Sequence, residues 1–99
     1  DLDQRGMLED TLVVWGGEFG RTPKINGGGG RDHWGHVFSM ALAGGGVKAG
    51  TVYGTSDKQA GHPIDGKVSP ADVQATIYHL MGISPNTEIH DNQGRPIPI

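Results

Sequence analysis

"TLVVWGG", residues 11 to 17, is the stretch on which the fold turns. Its first five residues are all β-branched, apolar or aromatic, and two glycines end the run. Continuous rather than alternating apolarity marks a strand covered on both faces, as in a parallel sheet layered with helices. Upstream, Leu2, Met7 and Leu8 stand among charges, which predicts the last turns of an amphipathic helix over residues 1 to 9, broken at Asp10 and Thr11. The chain opens without an initiator Met, so the N-terminus of a parent protein is expected to lie elsewhere. Downstream, "GGEFGRTPKINGGGG" reads as loop by every breaker rule. Residues 37 to 43, including Ser39, then predict a second buried strand: the run is short and stops at three glycines, where a helix normally continues to about 10 residues or more. About 21 residues separate the two strands, enough for the crossover that parallel neighbours require.

Residues 51 to 53 predict a third short strand, and residues 57 to 68 a polar loop. "SPADVQATIYHLMG", residues 69 to 82, is the clearest element. Ser69 suits the N-cap, Pro70 the first helical position, and Asp72 a capping box. Val73, Ile77, Leu80 and Met81 fall on one face, His79 faces away from it, and Gly82 supplies the stop. The tail, with prolines at 96 and 98, predicts an extended edge or a surface strap. Helix, strand, loop, strand and helix together indicate an α/β layer. No linker divides residues 1 to 99, so they read as one piece of a single domain.

Composition narrows the function. Eight Lys and Arg stand against 11 Asp and Glu, for a formal charge of −3, and the basic residues form neither stripe nor arm. Nucleic acid is therefore a poor partner. No apolar run approaches the roughly 20 residues of a membrane span, and the absence of Cys removes thiolate metal sites and disulfides. With 18 Gly and 34% hydrophobic residues, any core is lean.

Chemistry-bearing residues concentrate in residues 13 to 36. Asp32 and His33 are adjacent and could supply two ligands to a divalent ion or a base with its partner; equally, both could be solvated loop residues, or Asp32 could cap a turn. Two ligands do not make a site. Arg21 and Arg31 could grip a phosphate or sulfate in bidentate fashion, or each could neutralise Glu18 or Asp32. His36, His62, His79 and His90 carry no signal of their own. The glycines at 27 to 30 do not form a phosphate loop, because the Lys-Ser/Thr ending is missing, and no Gly-x-Ser-x-Gly elbow supplies a serine nucleophile.

Taken together, "EFGRTP", "GRDH", "AGGGVKAGTVYG" and "SPADVQATIYHLMGI" resemble the bacterial sulfatase-like proteins grouped as domain of unknown function fifteen-oh-one, in the alkaline phosphatase and sulfatase superfamily. The resemblance implies the C-terminal part of a three-layer sandwich with a mostly parallel sheet. It also implies a parent several times longer, exported to the periplasm by a twin-arginine signal, whose nucleophile and first metal carboxylates lie upstream. In that superfamily a strand delivers an Asp-His pair to a metal centre. Here the corresponding place holds Glu18 and Phe19, and Phe19 cannot ligate a metal.

The function expected from the resemblance is metal-dependent hydrolysis of sulfate or phosphate esters. Glu18, Asp32 and His33 would be ligands of a Zn, Ca or Mg ion, and Arg21 and Arg31 would clamp the anionic ester. The alternative is a non-catalytic relative that binds a ligand or partner after losing part of the metal site. Under the first reading, Glu18, Asp32 and His33 converge at the carboxyl edge of the sheet, completed by the upstream part of the parent chain.

Overall fold

The computed structural model describes residues 1–99 as two compact units, Asp1–Lys67 and Val68–Ile99. In the first, a 3-10 turn, Leu8–Asp10, leads into β1 (Val13–Gly16). Two short strands, β2 (Gly20–Arg21) and β3 (His33–Trp34), follow, and β4 (Met40–Ala43) comes next. The unit closes with β5 (Thr55–Ser56) and β6 (Pro63–Asp65).

Every pairing is antiparallel and every sheet has two strands. β1 pairs with β4 from Val13↔Ala43 to Gly16↔Met40. Inside the connection between them, β2 pairs with β3 through Gly20↔Trp34 and Arg21↔His33. One hairpin is thus nested within another.

These pairings overturn the parallel sheet and the three-layer sandwich. A continuous apolar run identifies a strand but not its direction. Parallel neighbours need a long crossover, usually helical. Here Pro23 and the glycines at 27 to 30 deny the connection a helix, and it doubles back through β2 and β3. The two-face burial expected of β1 fails with it: all four of its residues are exposed, Trp15 at 75%, and Ser39 is exposed as well. No apolar side chain in the chain is fully buried.

Three smaller expectations also change. Residues 2 to 6 form turns rather than a helical end, because Gly6, at φ +67°, breaks the run before a second turn can form. Residues 51 to 53 have no strand partner, and pairing begins only at Thr55, after Gly54 turns the chain at φ +82°. The loop expected over residues 57 to 68 contains β6, which finds its partner in β5.

Two glycines are fixed by close approach. At Gly20 a Cβ would collide with the Val37 carbonyl oxygen, so only glycine lets β2 lie this near the exit of β3. Gly44 adopts φ +75°, and a Cβ there would collide with the carbonyl oxygens of Thr11 and Leu8, while Gly45 N–H donates to the Leu8 oxygen at 3.0 Å.

The second unit contains α1 (Pro70–Leu80) and a hairpin of β7 (Glu88–His90) with β8 (Pro96–Pro98). The helix starts as its sequence predicts. Ser69 Oγ accepts from the Asp72 N–H, the Asp72 carboxylate accepts from the Ser69 N–H, and Pro70 occupies the first turn. Gly82, at φ +80°, ends it, and His79 is exposed. The tail is extended, with each proline of β8 in a two-stranded edge.

Candidate functional site

Three side chains hold the glycine-rich loop after β2, and Asn26 makes the most of its bonds. Asn26 Oδ1 accepts from the N–H groups of Gly28 and Gly30, both at 3.0 Å, while its Nδ2 donates to Asp32 Oδ1 at 2.9 Å. Asn is suited to this, since its amide bonds backbone two residues on and still has a donor to give. Thr22 closes the same loop: its N–H donates to the Asp32 carbonyl at 3.0 Å and its Oγ1 accepts from the Asp32 N–H at 3.1 Å. Arg31 Nη1 donates to the carbonyls of Thr22 at 2.7 Å and Pro23 at 2.6 Å.

Of the two arginines expected to clamp an anion, Arg31 therefore serves loop closure. Arg21 does not share that role. Its one backbone bond, to the Arg31 carbonyl, is long at 3.4 Å, and its guanidinium lies 5.5 Å from the centre of the Phe19 ring. His33 stands opposite Arg21 across the β2–β3 pair and stacks on the same Phe19 ring at 3.9 Å. Phe19 is not a ligand, yet it organises one exposed face on which a guanidinium and an imidazole sit together.

The expected metal ligands do not assemble. No three His, Asp or Glu side chains of the chain gather into a group able to hold an ion. Glu18 lies exposed in the turn between β1 and β2, Asp32 is bound to Asn26, and the ring of His33 is packed on Phe19. The carboxylates and imidazole of this chain do not by themselves fit a metal centre.

A second cluster sits where sequence reading assigned nothing. Trp34 meets His36 at 4.6 Å and His62 at 5.7 Å between ring centres, and the two imidazoles lie 4.9 Å apart. Trp34 Nε1 donates to the Gly61 carbonyl at 2.7 Å, which ties β3 to the turn between β5 and β6. Asp57 organises that turn: its carboxylate accepts from the Gly61 N–H at 2.7 Å and the His62 N–H at 3.1 Å, and its Oδ2 lies 3.9 Å from His62 Nδ1. The Gly61 N–H above all, aided by the His62 N–H, holds the Asp57 carboxyl below its ordinary range against a smaller opposing effect of desolvation.

An open groove of about 620 Å³, of the size that holds small ligands, runs along this region. Asn26, Asp32, Trp34, Asp57, Gln59 and His62 line it, and Asp32 alone of the five expected site residues is among them. His36 and His62 were not legible as a pair, being 26 positions apart with no motif between them. The one usable local signal was Asp57 ahead of Gly61, a spacing at which a carboxylate bonds turn N–H groups.

The family described as protein of unknown function, DUF1501, matches residues 1–99. The chain belongs to that family. No curated protein and no solved structure matches this DUF1501 chain. None of its helices is long and apolar enough to cross a membrane.

Proposed function

We propose that this DUF1501 chain is a segment of a sulfatase-like hydrolase of sulfate or phosphate esters, and that Arg21 and His33 face the anionic group of the ester. The observation behind the reading is the placement of Arg21 opposite His33 across β2–β3, with Phe19 against both. A guanidinium presents paired donors to a tetrahedral oxyanion, and the neighbouring imidazole adds a further donor on the same face. Removing one donor of this kind from a developing charge lowers turnover by roughly 100-fold or more.

The nucleophile is assigned to a part of the parent outside these residues. The Zn, Ca or Mg ion expected from the resemblance is likewise assigned to ligands from outside the chain, and nothing in the roles of Arg21 and His33 depends on it. Export of the parent belongs to the same resemblance.

The engagement of Arg31 and Asp32 in loop closure favours a second reading, in which the site binds an anionic ligand without turning it over. Assays of the full-length parent with 4-nitrophenyl sulfate and 4-nitrophenyl phosphate separate the two. The hydrolase reading expects turnover that falls about 100-fold or more in Arg21→Ala and His33→Ala. Calorimetric binding of sulfate or phosphate esters without turnover establishes the second reading, and turnover untouched by both substitutions removes Arg21 and His33 from the site.

A further inference from the structure

We propose that Asn26 and Gly27 form a self-modification site, at which the backbone nitrogen of Gly27 converts Asn26 to aspartate and isoaspartate with loss of ammonia. The hydrogen bonding of the loop singles this nitrogen out. The N–H groups of residues 26, 28, 29 and 30 all donate within the loop, to the Gly30 carbonyl, Asn26 Oδ1, the Asn26 carbonyl and Asn26 Oδ1 in turn, whereas the Gly27 N–H has no acceptor. Gly27 is also exposed, and the space a side chain would fill there is empty out to 4 Å. Its nitrogen is open to water and next to the Asn26 side chain.

The chemistry is an acyl transfer between neighbours. Hydroxide removes the Gly27 N–H proton, and the nitrogen attacks Asn26 Cγ, so that a new C–N bond closes a ring. The carbonyl electron pair moves onto Oδ1, where the Gly28 and Gly30 N–H groups already donate at 3.0 Å. Donors at about 2.7–3.1 Å are the arrangement that stabilises such an oxyanion. The carbonyl then re-forms, the Cγ–Nδ2 bond breaks, and Nδ2 takes a proton from water to leave as ammonia. Water opens the resulting cyclic imide at either carbonyl, giving aspartate by one route and isoaspartate by the other.

The other two asparagines lack this arrangement. Asn86 precedes β-branched Thr87, whose N–H donates to the Ser84 carbonyl at 3.0 Å, and Asn92 precedes Gln93, whose N–H donates to Asp91 at 2.8 Å. Conversion of Asn26 also has a structural consequence. Its Nδ2 donates to Asp32 Oδ1 at 2.9 Å, and a carboxylate in its place loses that bond and sets two like charges together. Asn26 and Asp32 both line the groove, so the change loosens one of its walls. The site does not depend on the hydrolase reading of Arg21 and His33.

The test incubates the full 99-residue chain in mildly alkaline buffer without denaturant and follows each asparagine by peptide mapping and mass spectrometry. We expect Asn26 to convert at least about tenfold faster than Asn86 or Asn92, as a mixture of aspartate and isoaspartate and at a rate that rises with pH. Gly27→Val, whose side chain has room and meets no left-handed backbone, should slow the reaction at least about tenfold by shielding the nitrogen. NMR of the starting chain and of the variant establishes that the loop is formed in both. Conversion confined to urea overturns the proposal, because the bonds of Asn26 would then protect it in the folded loop. Equal rates at all three asparagines, or a rate untouched by Gly27→Val, overturn it as well.

Discussion

Asn26 is the residue on which the glycine loop depends, because one amide serves Gly28, Gly30 and Asp32 at once. Replacing it by Ala removes acceptors for two N–H groups, each bond worth about 1 kcal/mol. The amides of Gly28 and Gly30 should then exchange with deuterium roughly five- to tenfold faster, by NMR, while those of β1 keep their rates. Unchanged glycine rates would show that the loop is held by Thr22 and Arg31 instead. Asp57 plays the corresponding role in the next turn. In the Trp15→Phe background, Asp57→Ala should shift Trp34 emission to the red, since the turn that carries the Gly61 carbonyl loses its acceptor. Asn26 was partly legible, since it stands directly before the glycines whose turn it bonds, and Asp57 less so, with Gly61 four residues further on. Arg21 and Arg31 were not: both are Arg in a polar loop, and only the register of β2 against β3 separates the one on Phe19 from the one on backbone carbonyls.

Among the elements, α1 was the most readable and the strands the least. Its cap is written within four consecutive residues, so sequence and structure coincide there. Ser69→Ala should cost on the order of 1 kcal/mol of helix stability, followed by far-UV circular dichroism in urea, whereas exposed His79→Ala should cost little. A larger loss at His79 would show that this face is packed. The cap also titrates. Bonds from the Ser69 hydroxyl and N–H hold the Asp72 carboxyl below its ordinary range, so its contribution is complete above the unfolded-state pKa and disappears as pH falls through the lowered folded value. Helical signal should therefore decline below the ordinary carboxylate range, and Asp72→Asn should remove that part of the decline. Strand identity was legible at residues 13 to 15 and 40 to 43, but pairing is a relation between distant segments. Nothing within "TLVVW" names β4 as an antiparallel partner, and the glycines that block a crossover helix act through the connection rather than the strand.

On the scale of the chain, exposure is the dominant property. The accessible surface is 8046 Å², against roughly 6,400 Å² for two separate compact bodies of these sizes. Val52 at 93%, Trp15 at 75%, Tyr53 at 74% and Ile64 at 68% exposed are apolar side chains that contribute little hydrophobic stabilisation in the isolated chain. The 99 residues alone should unfold in urea over a broad range, with a slope below that of an ordinary domain of this length. A sharp, concentration-independent two-state transition with several kcal/mol of stability would contradict this. The lean core was legible in the composition. The two-stranded sheets were not, because composition counts apolar residues without saying which of them meet.

The nesting of β2–β3 inside the β1–β4 connection dictates an order of assembly. Closing the outer ribbon directly means closing a loop of about 23 residues; with the inner hairpin already formed, the free chain between the closing ends shrinks to about 8, which lowers the entropic barrier by about 0.9 kcal/mol. The inner pair is therefore a splint, and the faster route runs from inside outward. Gly20→Ala places a methyl group against the Val37 carbonyl, at the point where the splint seats. Such a change delays the outer ribbon from a position that β1 and β4 never touch.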